Sequence, residues 1–200
     1  MRLLAEGQHP QAIDMCGRLA GMPVGPLALL DEVSLKLVSD IRKQTLKDLG
    51  QTEKTDATQK VLAVMVEENG RFGKAAGAGF YEYPKGKDKF LWAKLNELFA
   101  TDTSEQLEQK TMIERMMFAQ AIETVRCFEE GVLMSSADAN IGSIFGWGFA
   151  AFKGGTLQYI NDYGLDDFVK RAKVLSEKYG KRFEPPAMLL DMAEAKKKFA

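Results

Sequence analysis

The chain has 200 residues, 46% of them hydrophobic, and its 27 basic and 28 acidic residues leave a formal net charge of −1. This length and apolar content are enough for one domain or two small ones, whereas the near-neutral charge excludes a broad electrostatic footprint for nucleic acid or an anionic membrane. No apolar run reaches the roughly 18 residues of a transmembrane segment, no signal-peptide core is present, and a single histidine argues against a zinc site.

Three helices are predicted before residue 50. Residues 1–6 have the pattern of a helix tail whose beginning is missing, and Gly7 ends it. Residues 10–20 predict a short helix with one apolar face, made of Ile13, Cys16, Leu19 and Ala20. Residues 27–49 predict one long helix, and helical spacing predicts the following stripe on it: Leu30, Val33, Leu37, Val38, Ile41 and Thr45.

The middle of the chain predicts shorter elements. A helix over residues 57–69 takes Thr55 or Asp56 as its cap, and the glycine-rich loop over 71–84 contains a short extended piece near Tyr81. The charged stretch 85–89 is the best candidate for a boundary. It is followed by a short helix over 90–100 and a polar connector over 101–106.

The second half begins with the longest predicted helix, over residues 107–130, which is apolar around much of its circumference and should be central to a second core. Gly131 ends it, and Ser135 or Ser136 caps a short helix that breaks near Gly146. Two further helices are predicted over 165–179 and 187–199.

The two halves share an order of elements. Residues 4–7 match residues 128–131, and the number of residues from the first segment to Asp14 equals the number from the second segment to Asp138. Residues 21–31 parallel 146–162, with a few residues inserted. We therefore predict an all-α protein of two tandem related helical units: a first repeat over 1–86, a short helix and connector over 87–106, and a second repeat over 107–200. The alternative is a chance match between generic helical pairs.

Two sets of motifs support a family resemblance. Residues 21–33, followed by Gly70-Arg71-Phe72-Gly73-Lys74 and by residues 77–83, resemble the C-terminal domain of the 3-hydroxyacyl-CoA dehydrogenase family. Residues 123–131 and 146–155 resemble the second helical repeat of multifunctional fatty-acid β-oxidation enzymes. The resemblance covers nearly the whole chain and departs at Ala150-Ala151, where the family often has two prolines.

The resemblance implies a 6-phosphogluconate dehydrogenase C-terminal-like fold and a parent enzyme that uses NAD. In the family a preceding Rossmann domain binds NAD and supplies a His/Glu pair, and a substrate-contacting asparagine would lie ahead of Met1. This chain has no Gly-x-Gly-x-x-Gly between a strand and a helix, and its sole histidine, His9, lies in a polar turn typical of a solvated loop. We expect no catalytic residue, no bound NAD and no activity in the isolated chain.

Two groups of residues remain as candidates for binding. Arg71 and Lys74 lie among glycines and could approach the phosphates of CoA. Each repeat contains a glycine-rich turn, which we call a corner, between a short helix and the next helix. The glycines and prolines of the two corners are predicted to set helix angles and to face the missing cofactor domain: Gly21, Pro23, Gly25, Pro26, Gly146 and Gly148.

The partners implied by the resemblance are the missing Rossmann domain, an acyl-CoA substrate and, by self-association, a second copy. The alternative function is a non-catalytic helical assembly or dimerisation module. We expect the protein in the cytoplasm, or in the mitochondrial or peroxisomal matrix if it is eukaryotic.

Overall fold

The computed structural model describes residues 1–50, 57–100 and 105–200, and these divide into two compact units. The first unit comprises Met1–Arg18 and Val24–Met112, and the second comprises Leu19–Pro23 and Ile113–Ala200. Helices dominate both, and the strands among the described residues are two short antiparallel ones, β1 (Tyr81–Glu82) and β2 (Phe90–Leu91). The predicted all-α class is confirmed.

The first unit is built from short helices. They are α1 (Arg2–Ala5), α2 (Pro10–Leu19), α3 (Pro26–Val33), α4 (Leu35–Asp48), α5 (Ala57–Leu62) and α6 (Lys94–Phe99). The chain continues from α5 as a π-helix over Ala63–Glu68, and a 3-10 turn covers Lys74–Ala76. The predicted caps of α5, Thr55 and Asp56, lie outside the described residues.

The helix predicted over residues 27–49 is wrong in one respect, because Ser34 divides it into α3 and α4. Ser34 has φ 87° and ψ 118°, a backbone conformation that residues other than glycine rarely adopt. Its hydroxyl accepts a hydrogen bond from the Leu37 amide at 3.4 Å and donates one to the Phe72 carbonyl at 3.1 Å. The serine therefore ends one helix and caps the next, and no glycine or proline in the sequence marks the break.

The predicted buried faces also need correction. Leu19 is 55% exposed, and on α3 and α4 the predicted stripe is turned outward, with Val33 47%, Leu37 48% and Ile41 56% exposed. The side chains that are buried in this unit lie on other faces of the helices and in the loop: Leu4, Ile13, Cys16, Leu27, Leu35, Leu62, Met65, Phe80 and Leu95. The two helices thus carry more apolar surface than the described residues cover.

Residues 85–99 form different elements from those expected. The charged stretch 85–89 joins β1 to β2 and lies inside the first unit, where Tyr81 pairs with Leu91. Phe90 and Leu91 belong to a strand, and the helix begins at Lys94. Leu98, expected on the buried face of a longer helix, is 42% exposed. The repeat limits at residues 86 and 106 stay a prediction.

The second unit is built around α7 (Gln109–Glu129), which confirms the long helix predicted there. The other helices are α8 (Ser136–Trp147), α9 (Thr156–Tyr163), α10 (Leu165–Tyr179) and α11 (Ala187–Glu194). Ser135 is the cap of α8, as expected. The sequence reading missed α9 as a separate helix and extended α11 beyond Glu194.

An aromatic cluster forms the centre of the second core. The ring of Phe118 on α7 stacks on Phe168 of α10 with centroids 4.0 Å apart, and it meets Tyr159 and Tyr163 of α9 edge-on at 6.2 and 5.2 Å. Phe118 and Phe168 are fully buried. Such rings stabilise a core through both burial and specific ring geometry.

The backbone of Ser34 generates a stability prediction. Ser34→Gly removes backbone strain that costs about 1–3 kcal/mol and loses only a few tenths of a kcal/mol of capping, so we expect the free energy of unfolding to rise by about 1 kcal/mol. Ser34→Ala keeps the strain, loses the hydroxyl, and is expected to lower it. Urea denaturation followed by Trp92 fluorescence in a Trp147→Phe background measures both.

The matched control is Gly164, which ends α9 with φ 86° and ψ 122°. Gly164→Ala should destabilise the second unit, as seen by Trp147 fluorescence in a Trp92→Phe background. If Ser34→Gly were less stable than the parent chain, the serine backbone would not be strained.

Candidate functional site

The glycine-rich loop of the first unit is held to α3 by the buried carboxylate of Asp31. Its oxygens accept hydrogen bonds from the Phe80 and Tyr81 amides, both at 2.8 Å, and from the Tyr83 hydroxyl at 3.0 Å. Gly79 lies so close that an added Cβ would overlap the carboxylate. Burial raises the pKa of Asp31, against the lowering effect of these hydrogen bonds and of the Arg71 charge.

Arg71 is part of the same anchor. Its guanidinium donates to the carbonyls of Gly79 at 2.6 Å and Tyr81 at 3.1 Å, pairs with Glu82 at 2.8 Å, and lies 4.2 Å from the centre of the Trp92 ring. Arg71 is only 8% exposed. These contacts give Arg71 a structural role in the loop.

Lys74 occupies a different environment on the surface of the same loop. Its ammonium forms an exposed ion pair with Glu32 of α3, at 2.8 and 2.9 Å from the two carboxylate oxygens. An exposed pair of this kind contributes little to stability. Of the two residues predicted to contact CoA, Lys74 is therefore the one whose charge lies at the surface, and the contact itself stays a prediction.

The corner between α2 and α3 depends on Asp14. Its carboxylate, carried by α2, accepts hydrogen bonds from the Leu27 amide at 2.7 Å and the Ala28 amide at 3.3 Å, which are free N–H groups at the start of α3. The next amide, that of Leu29, bonds to the carbonyl of Gly25 at 2.9 Å. The remaining position, Pro26, has no N–H to satisfy.

Two neighbours complete this corner. An added Cβ on Gly25 would overlap the Asp14 carboxylate, so the glycine is required by close approach. The hydroxyl of Tyr81 donates to Asp14 at 2.6 Å. Burial, together with this acidic partner, raises the pKa of Tyr81 well above its ordinary value, so the hydroxyl remains a donor at physiological pH.

The second unit has a corner of the same kind between α8 and α9. The side-chain oxygen of Asn140, on α8, accepts from the Leu157 amide at 2.9 Å and the Gln158 amide at 3.1 Å. An added Cβ on Gly155 would clash with Asn140. The sequence match of Asp14 with Asp138 was wrong, because Asp138 serves the cap of its own helix through Ser135.

The two corners differ at one further position. The first residue of α9 is Thr156, whose amide needs an acceptor, and the hydroxyl of Ser143 on α8 provides it at 3.2 Å. Ser143 is three residues after Asn140, and the residue three after Asp14 is Gly17, which has no side chain. In the first unit, Pro26 has no amide N–H and Gly17 offers no acceptor. In the second unit, the Thr156 amide donates to the Ser143 hydroxyl.

A second anchor also recurs in each unit. Asn161 of α9 accepts a hydrogen bond from the Phe199 amide at 3.0 Å and donates one to the Phe199 carbonyl at 2.9 Å. It lies 130 positions after Asp31 (161 − 31), which holds the amide of Phe80. A charged carboxylate in the first unit thus corresponds to a neutral amide in the second.

The glycines and prolines predicted to face another domain have varied surroundings. Within the second unit, an added Cβ on Gly21 would lie 2.6 Å from the Ala150 side chain, and one on Gly148 would lie 3.3 Å from Pro23. Gly146 lies within α8, and an added Cβ there would meet no described atom within 4 Å. Whether these corners face the missing domain stays a prediction.

The remaining features to place are His9, possible metal ligands and possible membrane-spanning helices. His9 is exposed, and its backbone amide bonds to the Gln106 side chain at 3.1 Å. Across residues 1–50, 57–100 and 105–200, no cluster of three potential metal ligands is found. None of the helices in this part of the chain is both long and apolar enough to cross a membrane.

Comparison with known families finds a match over the first part of the chain. Residues 1–83 match the sequence profile of the 3-hydroxyacyl-CoA dehydrogenase C-terminal domain. This segment of the chain is therefore similar to that domain. The matched residues include both polar anchors of the first unit, Asp14 with α3 and Asp31 with the glycine-rich loop.

Curated relatives align with almost the whole chain. The fatty acid oxidation complex subunit alpha of Shewanella loihica is 36% identical over 98% of this chain and 28% of its own length. The protein of the same name from Shewanella frigidimarina is 38% identical over 96% of this chain and 27% of its own length. The chain therefore spans little more than a quarter of these relatives.

Solved structures share the fold at low sequence identity. The 3-hydroxybutyryl-CoA dehydrogenase of Escherichia coli K12 superposes with a TM-score of 0.71 at 16% identity, over 97% of this chain and 56% of its own. The dehydrogenase part of multifunctional enzyme 1 from C. elegans gives 0.63 at 17% identity, over 95% and 44%.

A double-mutant cycle tests whether the Ser143 hydroxyl stabilises the second unit by accepting the hydrogen bond from the Thr156 amide. Ser143→Ala leaves the buried Thr156 amide without its acceptor, and we expect a loss of about 1–3 kcal/mol in the free energy of unfolding. In a Thr156→Pro background that donor no longer exists, so most of this cost should disappear. Urea denaturation followed by Trp147 fluorescence, with Trp92→Phe, measures all four chains. Equal costs in the two backgrounds would contradict the account.

Proposed function

We propose that the chain is the helical, substrate-side portion of an NAD-dependent 3-hydroxyacyl-CoA dehydrogenase of fatty-acid β-oxidation. The observation that carries the proposal is the clamped loop over residues 71–83, which lies within the segment matched by the dehydrogenase family. The names of the relatives place those proteins in fatty acid oxidation. Because the chain is far shorter than they are, its activity belongs to the longer parent protein.

The geometry suits a rigid surface that closes over a ligand. Asp31 and Arg71 fix the loop from inside, so the position of Lys74 on its outer side is defined. A phosphate of CoA would compete with Glu32 for the Lys74 ammonium. We assign the CoA contact to Lys74 and the positioning of its loop to Arg71.

In our proposal the described residues do not supply the site for NAD. Dinucleotides bind where a parallel strand leads through a glycine-rich turn into a helix, and the strands described here form one antiparallel hairpin. In our proposal NAD and the catalytic residues belong to the preceding domain of the parent, and this chain contributes substrate contacts. The protein would act in the cytoplasm, or in an organelle matrix if it is eukaryotic.

The alternative is a helical module that only assembles subunits and contacts no acyl-CoA. The apolar side chains exposed on both units favour it, among them Ile41 at 56% and Phe145 at 85%. The two functions differ in what a change at Lys74 does to the parent enzyme.

The test uses the isolated chain and the full-length parent with NAD and 3-hydroxybutyryl-CoA, with NADH followed by its absorbance. We expect the isolated chain to produce no NADH and the parent to produce it. In the parent, Lys74→Ala should raise KM for the CoA ester about fivefold, the effect of about 1 kcal/mol, with kcat unchanged.

Lys85→Ala, a change of another exposed lysine, is the control and should leave KM unaltered. A robust rate from the isolated chain would overturn the assignment of the chemistry to the missing domain. An unchanged KM for Lys74→Ala would remove the CoA contact and favour the assembly module.

A further inference from the structure

A cavity in the second unit is surrounded by lysines. It has a volume of about 400 Å³, and its walls come from the first turns of α10, the end of α11 and the residues that follow α11. The charged side chains in its lining are four lysines and two aspartates: Lys170, Lys196, Lys197, Lys198, Asp166 and Asp167. The lining therefore has a formal charge of +2 (4 − 2), although the whole chain has a net charge of −1.

The segment that carries three of these lysines is fixed at both ends. On one side, the Lys197 amide bonds to the Met192 carbonyl of α11 at 2.9 Å. On the other side, the Asn161 side chain holds the Phe199 amide at 3.0 Å and the Phe199 carbonyl at 2.9 Å, and the Phe199 ring is buried. The backbone therefore holds residues 196–198 beside the start of α10, while their side chains stay exposed.

Most of the positive charge in the cavity is unpaired. Lys170 pairs with Asp167 at 3.4 Å. Within residues 1–50, 57–100 and 105–200, the ammonium groups of Lys196, Lys197 and Lys198 form no ion pair. Like charges repel one another, and positive charge is unfavourable close to a helix N-terminus, where the peptide dipoles are positive. The three lysines therefore add repulsion to the second unit, and its backbone holds them in place nevertheless.

An anion in the cavity would remove this repulsion. Ammonium groups bind phosphate oxygens through charge-assisted hydrogen bonds. Gly164 provides no side-chain cap for α10, so amides at the helix start add to the attraction for an anion. The ammonium groups supply most of the charge.

The size and shape of the cavity indicate the kind of anion. Its volume exceeds the space that a single phosphate fills and lies within the range of small-molecule sites, about 300–1,000 Å³. A concave surface also suits a discrete molecule better than the flat surface of a membrane. We propose that this cavity binds the phosphate groups of a soluble polyphosphate ester, a small molecule that carries two or more phosphates.

This site is separate from the CoA contact assigned above. The lysine cavity belongs to the second unit, whereas Lys74 belongs to the first. Neither assignment rests on the other, so a result at one site does not decide the other.

The test is a titration of the 200-residue chain with pyrophosphate, followed by NMR at low and constant ionic strength, so that screening does not change. The amides of Leu165, Asp166 and Lys197 should shift and then saturate. Lys197 also borders a recess with Glu129 and Asp191, so the variant changes its two neighbours instead. Lys196→Gln with Lys198→Gln should raise Kd about fivefold, because two attractive charges are lost.

The matched control is Lys173→Gln with Lys178→Gln, which removes two exposed lysines of α10 outside the cavity. It changes the net charge equally and should leave Kd unaltered. Asp166→Asn removes a negative charge from the wall and should lower Kd, a change opposite in sign to any loss of folding.

Three results would overturn the proposal. The first is the absence of saturable shifts with pyrophosphate, which would make the lysines a solvated end of the unit. The second is an equal rise of Kd in the two double variants, or a Kd that Asp166→Asn does not lower. The third is co-sedimentation with phosphatidylglycerol vesicles that Lys196→Gln with Lys198→Gln abolishes, since lipid headgroups would then be the ligand.

Discussion

In each unit an acidic or amide side chain on one helix accepts hydrogen bonds from amides in the first turn of the next helix. Asp14 binds the Leu27 and Ala28 amides at the start of α3, and Asn140 binds the Leu157 and Gln158 amides at the start of α9. The free N–H groups of a helix start are costly to bury without partners. Because the acceptor comes from the preceding helix, one interaction satisfies these groups and also fixes the angle between two helices. The glycine before each helix permits this approach.

The two units use different polar groups as acceptors for these hydrogen bonds. In the first unit the acceptors are carboxylates, Asp14 and Asp31, supported by tyrosine hydroxyls and by the Arg71 guanidinium. In the second unit the corresponding residues are amides, and Ser143 provides a hydroxyl that the first unit does not need. Burying a carboxylate is favourable only when several donors surround it. This concentration of charge lies in the unit that matches the dehydrogenase family, beneath the loop to which we assign the CoA contact.

Local patterns in the sequence predicted much of the fold and little of the site. The long helix α7, the stops at Gly7 and Gly131 and the cap at Ser135 all follow from periodicity and capping residues. The break at Ser34 was missed because its cause is a backbone angle that the residue type does not reveal. The roles of Asp14, Asn140 and Asp31 were missed because their partners lie 13 to 67 positions away. The stripe through Val33 and Ile41 was predicted to be buried, whereas these two side chains are 47% and 56% exposed.

The central claim is that side chains from α2 and α8 hold the first amides of α3 and α9, and amide hydrogen exchange measured by NMR tests it most directly. The reference is α10, whose cap, Gly164, has no side chain, so that the first-turn amides of Asp166 and Asp167 receive no side-chain cap. The account predicts that the amides of Leu27, Ala28, Leu157 and Gln158 exchange at least tenfold more slowly than those two. Exchange at equal rates would contradict it.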